Sequence, residues 1–218
     1  MKLTLFDLDE TLIRGDCSSL WSAFMVKEGW VAEPDLFLRQ DTEMMRLYAI
    51  GQMDMTEYMN WTLSPLKGRS EHEVSAMVTR FVHEVIADRV YADARQCIAS
   101  HRANGDRTIV ISASGEHLVA PIATYLGIDE TLAIGVETAN GRFTGFTQGV
   151  LTFREGKVAR LMDLLNQDAS LLAHAIFYSD SHNDLPLLTR VGRPSVVNPD
   201  AILLQHARQA GWPIHAWR

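Results

Sequence analysis

Cysteine is scarce in this chain. Its 218 residues carry two, Cys17 and Cys97, far apart and outside any CxxC spacing. A disulfide framework and a thiolate zinc site are therefore not expected, and the usage fits a reducing compartment. Long hydrophobic runs are missing as well: no stretch approaches the roughly 18 apolar residues of a spanning helix. The longest, LVAPIATYLGI from Leu118 to Ile128, is interrupted by Pro121 and reads as a buried helix. The opening MKLTLF meets two acids almost at once, which leaves no room for the apolar region of a signal peptide. Positive charge is also short. With 20 Lys and Arg against 27 Asp and Glu, the net charge of −7 provides no broad basic face for a phosphate backbone. The expectation is a cytoplasmic chain with no nucleic-acid, membrane or evident protein partner; a small anionic substrate stays open, because a site's local charge can oppose the global one.

What is present is ordinary globular composition, 47% hydrophobic and 22% charged, enough for one substantial core and a smaller appended module. Short runs of β type recur at LTLFDL (3–8), RTIVIS (107–112), TLAIGV (131–136), AIFYSD (175–180) and PSVVN (194–198). Their hydrophobicity is continuous rather than alternating, which marks strands buried on both faces of a parallel sheet. Helical stretches lie between most of them, so an α/β, doubly wound parallel-sheet fold is predicted. Residues 16–88 break that rhythm. SLWSAFMVKEGW, PDLFLRQDTEMMRLYAIG, MTEYMNWTLSPL and SEHEVSAMVTRFVHEV read as helices without a strand among them. We expect a small all-helical cap over 16–88, inserted after the first strand into a core of 1–15 and 89–218. Its Met and Trp residues serve either as bundle core or as the lining of a cavity. Asn140-Gly141, between strand-like flanks, predicts a β-hairpin projecting from the sheet.

The chemistry-bearing residues sit at predicted strand ends. Asp7 follows the first strand, where open α/β sheets bind ligands. Asp9 lies two residues on and points to the same side of an extended chain. Such a pair either begins a turn and caps the next helix, or forms a hard-oxygen site for Mg²⁺ with a nucleophile and a general acid/base. Ser112 ends the second strand, and Ala113, Ser114 and Gly115 lead into a helix; a small hydroxyl, free N–H groups and a helix N-terminus suit a phosphate, although Ser at such a junction also serves as an N-cap. Lys157 falls near a helix start, where the macrodipole disfavours a cation. In FYSDSHNDLPLL, Asp180 ends another strand, and Asn183 and Asp184 turn into a helix. An acid at that tip can share a cation with Asp7; Asn183 can donate to a phosphate oxygen, and Asp184 can orient water or the lysine.

The order DLDETL, SAS after a strand, Lys157, then SDSHNDLPLL resembles the four motifs of the haloacid dehalogenase-like (HAD) superfamily. The insertion after the first motif is similar to its phosphoserine-phosphatase-like branch. The resemblance spans residues 7 to 188 and implies a HAD-like Rossmannoid core and a Mg²⁺-dependent phosphatase working through an aspartyl-phosphate. Asp7 is then the nucleophile and a metal ligand. Asp9 is the general acid/base, with its main-chain carbonyl on the metal, and Asp180 completes the protein's ligands. Ser112, the Ala113 N–H and Lys157 hold phosphoryl oxygens, while Asn183 and Asp184 support the phosphate and the geometry. Retention of Asp9 favours hydrolysis, because relatives that displace halide do not need this acid and the related ion pumps carry threonine there.

Substrate choice is expected in the cap. In phosphoserine phosphatases an acid shortly after motif one binds the substrate amine, and Asp16 matches it, unless Asp16 only caps the helix beginning SSLW. Their cap arginine for the serine carboxylate is absent; Thr62 stands at the matching position. The small phosphorylated metabolite is thus expected to bear an amine without a carboxylate. Histidinol phosphate is such a compound, and bacterial members that the chain resembles carry that activity in their name. Phosphoserine, a lipid-head phosphate, or phosphoryl transfer to an acceptor alcohol remain alternatives. Trp21, Tyr58 and Trp61 are candidates for an aromatic wall or for core packing, and His182 for the cavity entrance.

Overall fold

The computed structural model describes residues 2–128 and 130–218; Met1 and Asp129 of the expected core lie outside them. Among the described residues seven strands form one sheet, with spatial order β4-β3-β2-β1-β5-β6-β7. These are β1 (Leu3–Phe6), β2 (Arg107–Gly115), β3 (Glu130–Ala139), β4 (Arg142–Gln148), β5 (Ile176–Ser179), β6 (Arg193–Val197) and β7 (Ile214–His215). Neighbours run parallel except β3 and β4. Register positions the site: Phe6 pairs with both Val110 and Tyr178. Asp7 and Asp180 therefore leave β1 and β5, and Ser112 sits within β2, which runs three residues past its expected end, all within two residues of one line across the sheet.

The continuous apolar runs divide by parity, as the pleat requires. Leu3 and Leu5 of β1, with Ile109 and Ile111 of β2, face a core built on α7 (Glu155–Leu164), α8 (Leu185–Leu188) and α9 (Ala201–Ala210). Phe6 and Val110 face the opposite core, which α5 (Ala92–Ala103) and α6 (Glu116–Tyr125) cover. Both faces are dry, which is why these strands carry no polar alternation.

Four helices follow β1: α1 (Cys17–Lys27), α2 (Pro34–Ala49), α3 (Met55–Leu63) and α4 (Glu71–Phe81), the last running on into a π-helical turn over Val82–Ile86. Asp16, Asp54 and Ser70 cap α1, α3 and α4 by accepting backbone N–H bonds. Trp21, Met25, Tyr58, Met59 and Phe81 belong to the same continuous apolar cluster as Phe6, Val110 and Ile122. The outgoing and returning chain are stapled together: the Arg14 N–H donates to the Arg89 carbonyl at 2.8 Å and the Tyr91 N–H to that of Leu12 at 3.1 Å.

The hairpin forms with Asn140 at φ 51° and Gly141 at φ 73°, left-handed values that a two-residue hairpin turn demands. It leaves the sheet toward the helical segment, where the Phe143 N–H donates to Arg69 and that of Glu71 to Gly141. Strand β7 was not legible in the sequence, since two residues carry no periodicity; pairing with β6 creates it. Trp217, just beyond, packs its ring 5.5 Å from that of Tyr178. No helix among the described residues is long and apolar enough to cross a membrane.

Candidate active site

Lys157 is the hub. It lies in the first turn of α7, where the helix dipole opposes a cation, and is only 2% exposed. Two carboxylates offset both costs: its Nζ donates to Asp7 Oδ1 at 2.7 Å and to Asp184 Oδ2 at 2.9 Å. Burial pulls the ammonium's pKa down, but Asp184 and Asp7 hold it above the usual lysine value, so it stays charged. Asp184 is fixed in turn by the Ser179 hydroxyl at 2.7 Å.

Asp7 and Asp180 share a third group. The Thr11 hydroxyl lies 3.5 Å from Asp7 Oδ2 and donates to Asp180 Oδ1 at 3.1 Å. Burial pushes the Asp7 carboxyl up to about 7, against Lys157 and with help from Asp184 and Asp9. Asp180 is raised well above the carboxylate range by burial and then by Asp7, and no Lys or Arg pairs with it among the described residues. Buried acids without enough positive charge are the condition that a divalent cation relieves. No three Asp, Glu, His or Cys side chains converge as a closed metal cage among the described residues. That does not exclude Mg²⁺, which keeps waters and substrate oxygens and takes one or two carboxylates from the protein. Asp7 and Asp180 fit that demand.

Asp9 is tied to both parts of the chain. Its Oδ1 accepts from the Cys17 N–H at 2.6 Å, at the start of α1, and its Oδ2 from the Ser114 hydroxyl at 2.9 Å. Burial raises its pKa, and the Cys17 N–H partly offsets this. Ser112 is fully buried, accepts from the Ser114 N–H at 3.1 Å and lies 3.4 Å from Asp9 Oδ2. The pairing of β2 with β3 is interrupted between Ile111 and Gly115, and Ala113 in that gap lines the cavity.

The cavity, about 250 Å³, lies between the sheet's carboxyl ends and the helical segment. Asp7, Asp9, Asp180 and Asn183 line one side; Asp16, Met45, Tyr48, Met53 and Tyr58 line the other. Asp16 caps α1 through the Ser19 N–H at 2.8 Å and also faces the cavity, so its two sequence readings hold together. Burial, then Asp9, lifts its pKa well above the usual range. Lys157, Asp184 and Ser112 sit behind the wall rather than in it. Of the three aromatics, only Tyr58 reaches the cavity. Trp21 is packed on Phe24 and Phe81, and Trp61 stacks on Phe37 at 4.4 Å. Thr62 is buried away from the wall.

Several contributors were not foreseen. Thr11 stands inside DLDETL, and its spacing from Asp7 is the signal that was there to read. His182, by contrast, was a candidate for the entrance and does line the cavity, with Nδ1 at 2.8 Å from Asp200 Oδ2. Arg154 carried no signal. It adopts φ 49°, ψ −119° just before α7, and its Nε donates to Asn183 Oδ1 at 3.0 Å. Its Nη2 donates at 2.7 Å to the carbonyl of Gly51, just beyond α2. One side chain thus bridges the helical segment and the Asn183 turn.

A family model described as haloacid dehalogenase-like hydrolase matches residues 4–189. The chain belongs to the haloacid dehalogenase-like hydrolases. It is 36% identical to a protein of Neisseria meningitidis serogroup C named histidinol-phosphatase, over 97% of each chain. It is 30% identical to a phosphoserine phosphatase of Mycobacterium tuberculosis, over 98% of this chain and 70% of that one. A solved structure from Bordetella pertussis, described as of unknown function, superposes with a TM-score of 0.91 at 32% identity, covering 99% of this chain and 98% of that one. A phosphoserine phosphatase holding a phospho-aspartyl intermediate analogue gives 0.65 at 19% identity, covering 98% and 92%, and speaks for the fold alone.

Proposed function

We propose that this hydrolase is a Mg²⁺-dependent phosphatase of small amine-bearing phosphate monoesters, with histidinol phosphate the best-supported substrate. The observation that carries the substrate class is the charge of the cavity wall. Asp7, Asp9, Glu10, Asp16, Asp180 and Asp200 line it, and among the described residues no Lys or Arg does. Lys157 stands behind Asp7, at the phosphate end alone, and Arg154 is committed to Asn183 and Gly51. A substrate carboxylate would meet acids without a cation, whereas an amine meets Asp16. Phosphoserine therefore fits less well than an amino alcohol phosphate. The similarity to the protein named histidinol-phosphatase points the same way.

In this reading Asp7 attacks phosphorus as the ester P–O bond breaks, and Asp9 gives its proton to the departing alkoxide. Asp9 then takes a proton from water as that water attacks phosphorus and the Asp7–phosphorus bond breaks. The raised pKa of Asp9 suits a group that must carry and return a proton. Lys157 holds Asp7 in place and, with Ser112 and the Ala113 N–H, stabilises equatorial phosphoryl charge. Asp7, Asp180 and the Asp9 main-chain carbonyl would hold Mg²⁺. When bound, the ion offsets repulsion between Asp7 and the anionic ester and stabilises developing charge on the phosphoryl oxygens. Asp184 and Asn183 position Lys157 and the phosphate. Residues 16–88 act as a cap over a core of 1–15 and 89–218, each supplying one cavity wall. The two free cysteines support a cytoplasmic setting.

Phosphate release from histidinol phosphate, phosphoserine, phosphoethanolamine, lipid-head phosphates and p-nitrophenyl phosphate, with and without Mg²⁺, tests this. Histidinol phosphate is expected to lead in kcat/KM, with release abolished by chelation. Phosphoserine ranking first overturns the substrate; no release from any ester by folded protein overturns the phosphatase. Adding an acceptor alcohol and assaying its phosphate separates hydrolysis from transfer.

A further inference from the structure

Beyond Asp16, away from the phosphate end, lies a group of polar side chains that the reading above does not use. Asp41 of α2 is 7% exposed and Tyr58 of α3 is 4% exposed, and neither the Asp41 Oδ1 nor the Tyr58 hydroxyl has a hydrogen-bond partner. The Ser19 and Ser22 hydroxyls on α1 are the donors nearest Asp41, at weak hydrogen-bonding range, and neither makes a close hydrogen bond. Ser18, next to Tyr58, spends its proton on Ser114 Oγ at 3.1 Å. Native folds rarely leave several such polar groups together without a ligand or water for them.

The charge balance sharpens this. Ion pairs of the helical segment run to Glu28, Glu43, Glu73 and Glu84, and none reaches Asp16 or Asp41. Two inward-facing acids therefore have no resident cation among the described residues. Tyr58 registers their field at its hydroxyl: after burial, Asp16 and Asp41 are the next causes that keep the phenol protonated. A positively charged N–H donor would offset both acids, and Tyr58 belongs to the cavity wall beside them. Asp41 sits one helical turn before the cavity-lining Met45, directly behind.

We propose that Tyr58 and Asp41 form a second nitrogen-binding station past Asp16, so that the cavity selects phosphate monoesters whose organic end carries two separate nitrogen groups. Asp16 takes the amine, the Tyr58 oxygen accepts from the second N–H donor, and Asp41 is a positioning residue that supplies negative charge behind Tyr58. This deepens, and rests on, the phosphatase reading.

The test measures kcat and KM for Tyr58→Phe and Asp41→Asn with three esters: histidinol phosphate with two nitrogen groups, phosphoethanolamine with one, and p-nitrophenyl phosphate with no basic nitrogen. A hydrogen bond in a charged setting corresponds to about tenfold or more. The ratio of kcat/KM for histidinol phosphate to that for p-nitrophenyl phosphate should fall by about that factor in both variants, mainly through KM. The same ratio for phosphoethanolamine should fall less. Equal losses on all three esters would show a merely structural role and overturn the proposal, as would equal losses on the two amines. If Asp41→Asn fails to fold, the isosteric Tyr58→Phe decides alone. Wild-type protein inactive on every ester overturns the phosphatase reading itself, whereas an active enzyme with unmoved ratios overturns this station only.

Discussion

At the scale of single residues, Asp7 and Asp9 are distinguished by what holds them. Asp7 is gripped by a buried lysine, which restrains its orientation and keeps it beside positive charge. Asp9 accepts only from neutral donors, the Cys17 N–H and the Ser114 and Ser112 hydroxyls, and so can exchange a proton without breaking an ion pair. Asp7→Asn should abolish turnover. It leaves an amide oxygen for Lys157, and removes a carboxyl that burial disfavours, so the metal-free melting temperature should be unchanged or higher. Retention of half the wild-type kcat would remove Asp7 as nucleophile. Asp9→Asn should slow turnover by about 10²–10⁴-fold and accumulate phosphorylated protein. Intact mass after rapid quench reads this out; a phosphate adduct should be absent from Asp7→Asn. Sequence alone placed both acids at a strand tip, but said nothing of Cys17 N–H and Ser114 as the partners of Asp9. Those contacts join residues 8 and 105 positions apart.

At the scale of elements, the junction before α7 couples the two walls of the cavity. Arg154 reaches Gly51 beyond α2 and Asn183 beyond β5, from a left-handed backbone that a non-glycine residue adopts at a cost of about 1–3 kcal/mol. Such strain persists where a side chain is needed in one place. Arg154→Ala should lower kcat/KM by about ten- to a hundredfold, as expected for two hydrogen bonds from a charged group. Arg154→Gly should lose as much activity yet melt at a higher temperature than Arg154→Ala, because glycine adopts this φ freely. Equal melting temperatures would deny the strain, and wild-type kcat/KM in both would deny the bridge. The strands other than β7, the four helices after β1 and the hairpin were legible because each is written in local periodicity or turn chemistry. The reach of Arg154 was not, since an arginine's partners depend on chain segments about a hundred residues away in one direction and 29 in the other.

At the scale of the whole molecule, acids dominate both the net charge and the cavity, which makes stability depend on pH. The folded-state pKa of Asp7 is raised from 3.8 to about 7, and Asp9, Asp16 and Asp180 are raised in the same direction. In that window the folded state binds more protons than the unfolded one. Through Asp7, stability of the metal-free protein should therefore fall as pH rises from about 4 to 7, and the other three acids act in the same direction. A Mg²⁺ ion held by these carboxylates would compete with protons for the same oxygens, so its stabilisation should be larger at pH 8 than at pH 5. Thermal melts with Mg²⁺ and with chelator at both pH values check this. An equal shift at the two, or none, would count against a carboxylate-held cation.

The sequence by itself determined the two-faced sheet, the helical insertion and the order of the acids and lysine, because strand parity, capping residues and motif spacing are local and survive in one dimension. It could not determine burial or partnership. Tertiary structure alone decided that Lys157 is buried between two carboxylates and that Asp16 both caps a helix and faces the cavity. It also decided that Trp21 and Trp61 are spent on packing while Tyr58 is left with a free hydroxyl. Each of these is a balance of desolvation against a partner brought from elsewhere in the chain, and that balance exists only once the chain has folded.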